Sequence, residues 1–211
     1  RDPMEHRAVV RLGTVPHAHL GILEGLAAYC VKIGRFRLRV QEGPSPMLLD
    51  MLLAGELDAF IGRLPTATVS TTLPAVVRYQ QLYEEPMCIA CSVNHRLAKA
   101  RRISLDDLDA SHWVLPSRES LSRRALEDAF LLRGRAAPTP LIEVSSFFYG
   151  LEMVSHSDVL TVAPRTAIRT QERLGFVRIL KTPLQMKPTS IYWMRRRSTD
   201  ADVVLDGLEQ W

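Results

Sequence analysis

The segment Val9-Val10-Arg11-Leu12-Gly13-Thr14-Val15 predicts a β-strand that ends in a glycine-containing turn. The apolar spacing that follows predicts a helix over residues 17–32, and the alternating residues 37–41 predict a second strand. A second helix ends at Gly55, before a third strand over residues 57–63. A βαβαβ order with short connections predicts an α/β fold in which helices cover a parallel sheet.

A second strand–turn–helix cycle follows the first along the chain. Its predicted strands cover residues 112–115, 141–144, 158–162 and 177–180, and its predicted helices cover 120–132, 147–154 and 165–174. An extended segment over residues 81–93 leads into this half, and a last strand over residues 190–195 returns the chain to the first half. We therefore expect two α/β lobes joined by two crossing strands, with residues 1–84 and 188–211 as lobe I and 85–187 as lobe II. The carboxyl ends of the strands would border a cleft, where α/β sheets bind ligands.

The composition of the 211 residues excludes several classes of protein. Hydrophobic residues make up 46% and charged residues 24%, which is ordinary for a globular protein and unlike a disordered chain. The formal net charge of +4 is too weak to indicate nucleic-acid binding by itself. We expect no membrane association, because no stretch approaches the ~20 apolar residues that a span needs. We also expect no signal peptide, because the first seven residues hold no apolar run.

Two of the three cysteines are predicted to be buried structural thiols. Cys88 and Cys91 have C-x-x-C spacing inside an apolar run that reads as a strand. Residues three apart in a strand point to opposite faces, so the two thiols cannot share a metal ion or act as a redox pair. With Cys30 the count is odd, which fits a reducing cytoplasm.

Several short motifs occur in a fixed order along nearly the whole chain. They are Gly13-Thr14-Val15-Pro16, His19-Leu20, Glu42-Gly43-Pro44-Ser45, Leu48-Leu49, Gly55-Glu56-Leu57-Asp58, Ile61-Gly62-Arg63-Leu64, Leu82-Tyr83-Glu84-Glu85-Pro86, Asn94-His95-Arg96-Leu97-Ala98 and Leu160-Thr161-Val162-Ala163-Pro164. Together they resemble the effector-binding domain of LysR-type transcriptional regulators. The resemblance implies a type 2 periplasmic-binding-protein fold of two Rossmann-like lobes, and a small-molecule effector bound between them.

The resemblance also implies how the domain works in a bacterial regulator. Two such domains pack side by side as a homodimer, through helices corresponding here to about residues 17–32 and 120–132. The full-length protein is expected to be a tetramer. A rotation of the lobes is expected to change the dimer geometry and so the spacing of the DNA-binding domains, or heads. Such regulators begin with a winged helix-turn-helix and a linker helix that this chain lacks. We therefore expect DNA binding only through that missing domain, in the cytoplasm.

Four turns are the candidate effector site, because each follows a predicted strand and precedes a predicted helix. They are residues 14–17, 43–45, 116–118 and 145–147. Helix N-termini present unpaired N–H groups and partial positive charge to an anion, which favours an anionic effector. Gly62-Arg63-Leu64 resembles branches of the family that respond to aromatic or other small organic acids. Arg118 offers a charged contact to a carboxylate, and an aromatic side chain of the last turn covers an apolar ligand body. The candidate residues are Thr14, Pro16, His17, Pro44, Ser45, Ser117, Arg118, Ser145, Ser146 and Phe147.

Each candidate also has an ordinary structural explanation. Ser45, Ser117, Ser120 and Ser145 suit helix N-caps. Arg118 suits a solvated loop, and one of Phe147 and Phe148 suits the core because adjacent helical residues face different ways.

Arg63 has two candidate roles. It either lines the cleft or pairs with Glu84 or Glu85 at the hinge between the lobes. We favour the hinge pair.

The motifs of common enzymes and cofactor sites are missing from the sequence. It holds no G-x-S-x-G, P-loop or G-x-G-x-x-G pattern. His17 and His19 supply two ring donors where a metal site needs three or four ligands. Arg195-Arg196-Arg197 suits a solvated strand edge. We expect no enzyme activity, cofactor or metal, although a periplasmic-type solute-binding protein and an enzyme on the same fold stay open.

Overall fold

The structure is a computed structural model that describes residues 8–16, 22–34, 36–63, 76–118, 120–197 and 205–206. The chain divides into two compact units, and each has its own sheet and core. Unit 1 comprises residues 1–83 and 190–211, and unit 2 comprises residues 84–189. The assignment of residues 1–84 with 188–211, and of 85–187, as functional lobes stays a prediction.

Unit 1 is built from five strands and two long helices in its described part. Its elements are β1 (Ala8–Thr14), α1 (Ile22–Ile33), β2 (Phe36–Glu42), α2 (Ser45–Ala54), β3 (Ala59–Gly62), β4 (Val77–Glu85) and β10 (Thr189–Arg196). The strand order is β2-β1-β3-β10-β4. Strand β1 runs parallel to β2 and β3, whereas β10 runs antiparallel to β3.

The core of unit 1 lies between this sheet and its helices. Leu48 and Leu52 form the fully buried side of α2, and they pack with Leu12, Phe60 and other apolar residues of the strands. Gly13 permits this close packing. A Cβ atom there would lie 2.7 Å from Leu57 Cδ1 and 2.9 Å from Leu48 Cδ2.

Unit 2 repeats the alternation of strands and helices. Its elements are β5 (Met87–Ser92), a 3₁₀ turn (Arg96–Lys99), α3 (Leu105–Asp109), β6 (His112–Pro116), α4 (Leu121–Leu131), β7 (Ile142–Val144), α5 (Phe147–Ser155), β8 (Val159–Pro164), α6 (Arg165–Arg173) and β9 (Val177–Ile179). The strand order is β7-β6-β8-β5-β9. Strand β6 is parallel to β7 and β8, and β5 is antiparallel to β8 and β9.

The core of unit 2 is centred on Trp113. Its ring lies 6.4 Å from that of Phe130 in an edge-to-face arrangement, and its Nε1–H donates to Leu108 O at 3.0 Å. A buried indole needs such a partner. Ser104 caps α3 in a capping box with Asp107, as the sequence predicts. The hydrogen bonds from Ser104 and the nearby Arg96 hold the pKa of Asp107 below its usual value.

The predicted α/β fold with two strand–helix lobes is confirmed, but one prediction about the last strand is wrong. Arg195 was expected on a solvated edge, yet β10 lies between β3 and β4 and Arg195 is buried. Arg195 Nη2 forms an ion pair with Asp206 Oδ1 at 2.5 Å. Local sequence cannot show this partner, because it lies eleven residues further along the chain.

None of the described helices is long and apolar enough to cross a bilayer.

Candidate functional site

Three turns of unit 1 meet at one edge of its sheet. Thr14 at the end of β1 pairs with Glu42 of β2 and with Ile61 of β3. These three strands are parallel, so their carboxyl ends share one edge, as the sequence predicts. We call the turns that follow them, residues 14–16, 43–45 and 62–63, the unit 1 turns.

Hydrogen bonds join the unit 1 turns to one another. Val15 N–H donates to Ile61 O at 3.1 Å, and Gly43 N–H donates to Thr14 O at 3.1 Å. Arg63 N–H donates to Ser45 Oγ at 3.2 Å. The turns therefore form one bonded rim next to the N-terminus of α2, where unpaired helix N–H groups favour an anion.

Ser45 does not cap α2, contrary to its predicted role as a helix N-cap. Pro44 occupies the N-cap position without a side-chain cap bond, and Ser45 is the first residue of the helix. The Ser45 hydroxyl instead accepts the Arg63 N–H and so ties the end of β3 to the start of α2. This partner lies eighteen residues away, beyond what local sequence indicates.

The other predicted residues of this edge differ in exposure. Thr14 is 2% exposed, and its hydroxyl donates to Val15 O at 3.2 Å. Pro16 is half-buried and Pro44 is exposed. His17 lies outside the described residues. Because the Thr14 hydroxyl is already hydrogen-bonded, an effector would contact the backbone of Thr14 unless the hydroxyl rotates away from Val15 O.

Unit 2 has a corresponding pair of turns, which we call the unit 2 turns, residues 117–118 and 145–146. They follow β6 and β7, whose carboxyl ends are neighbours. Ser117 N–H donates to Val144 O at 2.9 Å, and Ser117 O accepts the N–H of Ser120 at 3.0 Å. Arg118 is exposed, and its carbonyl oxygen accepts a hydrogen bond from Arg124 Nε at 3.4 Å.

Ser146, rather than Ser145, caps α5. Its hydroxyl accepts the Phe148 N–H at 3.3 Å, whereas Ser145 is exposed. Phe147 is buried and Phe148 is 39% exposed, which confirms that one of the pair belongs to the core. Phe147 therefore offers little surface to a ligand, whereas the ring of Phe148 is exposed.

Arg123 is a buried cation beneath the unit 2 turns that the sequence interpretation missed. Its side chain is 3% exposed and its Nε lies 2.6 Å from Glu127 Oε1. Its Nη1 donates to Pro116 O at 3.3 Å and lies 3.8 Å from Glu143 Oε2. The i,i+4 spacing of Arg123 and Glu127 was the available signal.

The structure gives Glu85 partners that were not anticipated. Glu85 is buried, and its carboxylate accepts hydrogen bonds from Thr166 N at 3.2 Å and Thr166 Oγ1 at 2.9 Å. Arg165 N–H donates to Pro86 O at 2.9 Å. Glu85 thus caps the N-terminus of α6, where a negative charge is favourable. A hinge role for Arg63, Glu84 and Glu85 stays a prediction.

Two of the three cysteines have the burial that the sequence predicts. Cys88 and Cys91 are buried in β5 and unpaired with each other, and Cys30 is half-buried. Burial raises the pKa of the Cys91 thiol to about 12, with Arg178 opposing and Asp158 adding to the shift. Among the described residues, no group of three or more His, Cys, Asp or Glu side chains is placed to hold a metal ion.

Known proteins resemble the chain along nearly its whole length. The family model described as "LysR substrate binding domain" matches residues 4–209. The HTH-type transcriptional regulator GbpR of Rhizobium radiobacter is 29% identical over 123 residues, 58% of this chain and 39% of its own length. GalR of Pseudomonas putida, also an HTH-type transcriptional regulator, is 24% identical over 191 residues, 90% of this chain and 47% of its own length. The chain thus spans about half the length of the curated relatives that it matches.

Solved structures share the fold at low sequence identity. The regulatory domain of Synechocystis CcmR in complex with 2-PG has a TM-score of 0.78 at 15% identity, covering 97% of each chain. The reduced OxyR regulatory domain of Pseudomonas aeruginosa has a TM-score of 0.74 at 19% identity, covering 96% of this chain and 93% of that one. These neighbours and relatives are transcriptional regulators or their regulatory domains. Because one family model accounts for residues 4–209, this chain belongs to the LysR substrate-binding domain family.

Proposed function

We propose that this chain is the effector-sensing and dimerising part of a LysR-type transcription regulator, and that its effector is a small organic acid held by the unit 1 and unit 2 turns. The observation that carries the proposal is the bonded rim in each unit. Three turns in unit 1 and two in unit 2 gather at the carboxyl edge of parallel strands. Such edges are where open α/β sheets bind ligands.

The chemistry of these turns suits an anion. Helices α2, α4 and α5 begin at or just after these turns, and their N-termini carry partial positive charge. Arg118 adds an exposed guanidinium for a bidentate contact with a carboxylate, and Phe148 adds an exposed ring at the start of α5. The CcmR regulatory domain, which shares this fold, has been solved in complex with 2-PG.

Signal transmission would follow from a shift between conformations of the domain. An effector that binds one arrangement more tightly favours it, and 1–3 kcal/mol of coupling, the typical magnitude, suffices for a 5- to 150-fold response. The DNA-binding heads would belong to a part of the regulator outside this chain, as the curated HTH-type relatives suggest. The site of action would be the bacterial cytoplasm, and the full-length assembly would be a tetramer.

Dimerisation would use the two helices named by the resemblance. In α1, Val31 is 85% exposed and Ile33 is 38% exposed. In α4, Leu131 is 64% exposed, and Leu132 directly after it is 83% exposed. Large apolar side chains at this exposure are expected on a surface that a second copy covers.

A melting-temperature screen tests the effector proposal. We expect at least one of benzoate, 4-hydroxybenzoate, succinate and citrate to raise the melting temperature in a saturable way, because a ligand of the folded state stabilises it by mass action. Arg118→Ala should weaken that binding about tenfold or more, as expected for a lost charge-assisted hydrogen bond. Its own stability should stay within about 0.5 kcal/mol of the parent, because Arg118 is exposed.

Arg102→Ala is the matched control, since Arg102 is also exposed and follows the 3₁₀ turn at the other end of unit 2's strands. It should leave acid binding unchanged. A panel in which no acid shifts the melting temperature, or in which both arginine variants behave alike, would count against an anionic effector at these turns. Steady turnover of a bound acid would favour an enzyme instead.

A further inference from the structure

His95 is a buried histidine that the proposed effector site does not use. It is the N-cap residue of the 3₁₀ turn, and its side chain is 2% exposed. Its Nδ1 accepts the Leu97 N–H at 3.0 Å. A ring nitrogen that accepts a hydrogen bond carries no proton, so Nε2 bears the single proton of the neutral imidazole.

The second ring nitrogen joins the turn to β8. His95 Nε2 lies 3.1 Å from Oδ1 of Asp158, which directly precedes β8 and is 77% exposed. Neutral His95 thus has both nitrogens satisfied. A second proton would have to sit on Nδ1, where it would face the Leu97 N–H and break the cap.

Burial and the charged groups around His95 shift the pKa of its imidazole in opposite directions. Burial lowers the pKa of His95 from its usual 6.5, Asp158 opposes this, and Arg96 adds to it. Arg178 of β9 approaches the same turn, where its Nη1 donates to Ala98 O at 3.3 Å. His156 lines the open cavity of about 650 Å³ into which Asp158 faces. Burial outweighs the carboxylate, so the folded chain favours neutral His95.

The turn that His95 caps connects several elements of unit 2. Leu97 and Ala98 are buried in the unit 2 core. Arg96 reaches the Asp107 carbonyl oxygen of α3 at 3.1 Å and Ser111 Oγ at 3.2 Å. Loss of the cap would therefore loosen the contacts between β5, α3 and β8 together.

This cluster lies at the opposite edge of the sheet from the unit 2 turns. Ser92 and Asp158 stand where β5 ends and β8 begins, and β5 is antiparallel to β8. The unit 2 turns instead follow the carboxyl ends of β6 and β7, and β6 is parallel to β8. Any effect of His95 is therefore separable from direct contact with an effector.

We propose that His95 is a proton-sensitive clamp, which in its neutral form holds the 3₁₀ turn against the start of β8 and on protonation releases it. The sign follows from the lowered pKa of the folded state. The stabilisation is complete above pH 6.5, the value for an unfolded chain, and it is lost as the pH falls toward the lower pKa of the folded chain. Mild acidification then opens this edge of unit 2 before it unfolds the rest.

Nuclear magnetic resonance of the unmodified chain tests the clamp without any substitution. At pH 7.5 we expect the Nε2–H tautomer for His95 and a protected Leu97 amide. At pH 5.5 we expect the protection factor of Leu97 to fall by up to about tenfold, the limit that linkage sets for a histidine with a pKa of 6.5 in the open state, while that of Leu115 in β6 stays constant. An Nδ1–H tautomer, or equal protection of Leu97 at the two pH values, would overturn the proposal.

Thermal melting of two variants gives a second test. His95→Asn keeps a side-chain oxygen that can accept the Leu97 N–H, because Asn is a favoured N-cap, but it does not titrate. Between pH 7.5 and 5.5 the parent chain should lose about 2–4 °C more in melting temperature than this variant. His156→Asn, at the exposed histidine of the same cavity, should keep the parent's pH dependence. The clamp would be refuted if His95→Asn kept the pH dependence of the melting temperature and His156→Asn lost it. It would also be refuted if the pH dependence were the same in all three proteins.

Discussion

Arg11 and Asp58 form an ion pair in unit 1 that is joined by several hydrogen bonds. The Asp58 carboxylate accepts hydrogen bonds from Arg11 N at 2.8 Å, Nε at 3.1 Å and Nη2 at 2.6 Å. Asp58 is buried at the start of β3, and its N–H donates back to Arg11 O at 2.9 Å. The pair therefore fixes the register of β3 beside β1, and through it the position of the unit 1 turns.

We predict that Asp58→Ala lowers the free energy of unfolding by about 1–3 kcal/mol, because it leaves the Arg11 N–H without its acceptor. Urea denaturation followed by circular dichroism measures the change. Asp50→Ala, at an exposed carboxylate on α2, is the control and should change it by less than about 0.5 kcal/mol. Equal effects of the two substitutions would show that the pair contributes no more than an ordinary surface charge.

Single residues also show where sequence interpretation reaches its limit. A serine before a proline indicates a helix start, and α2 does begin there. The hydroxyl's partner, however, is the N–H of Arg63 on another strand. The caps Ser104 and Ser146 have partners within three residues and are accessible to local rules, whereas Ser45 and Glu85 depend on tertiary contacts.

At the scale of elements, α5 packs on β8 through a glycine. A Cβ atom on Gly150 would lie 2.8 Å from Thr161 Oγ1. Thr161 is fully buried in β8, and its hydroxyl has no hydrogen-bond partner among the described residues. Glycine at position 150 therefore sets how closely the helix approaches the strand.

We predict that Gly150→Ala destabilises the chain by about 1–3 kcal/mol through overpacking, despite the better helix propensity of alanine. Thr161→Ala alone should change stability less, because removing a buried hydroxyl without a hydrogen-bond partner offsets the small cavity that it leaves. The double variant should recover stability, with a favourable coupling of about 1 kcal/mol or more in a double-mutant cycle by thermal unfolding. Additive losses would contradict direct contact between the two positions.

Most elements could be predicted because their patterns are local. The apolar stripe of α4 and the alternation in β2 appear in the sequence within one or two residues of their observed bounds. Strand β10 shows the limit, because its interior place in the sheet depends on pairing with β3, and the burial of Arg195 depends on that pairing and on Asp206. At the site, the carboxyl edges were predictable from topology. The i,i+4 spacing of Arg123 and Glu127 indicates a pair, but the burial of Arg123 cannot be derived from that spacing.

At the scale of the whole molecule, we predict that Leu131→Asp converts a dimer in solution to a monomer. Leu131 is 64% exposed at the end of α4, so a charge there should have little effect on the stability of the folded subunit. The same charge should strongly weaken association through an apolar interface. Light scattering after size-exclusion chromatography measures the mass. Leu174→Asp, at a leucine 61% exposed after α6, should leave the mass unchanged. A wild-type chain that is monomeric at high concentration, or a Leu131→Asp variant that stays dimeric, would contradict the proposed interface.

The proposed effector site holds a small acid at the carboxyl edges of the two sheets. Amide chemical-shift mapping would locate that acid, using the panel acid that gives the largest melting shift, with benzoate as the starting probe. We expect saturable perturbations at Val15, Gly43, Ser117 and Ser146, whose backbones form the rims. We expect little change at Leu97 and Asp158, at the opposite edge of unit 2. Perturbations confined to that opposite edge, or spread evenly without saturation, would contradict the account.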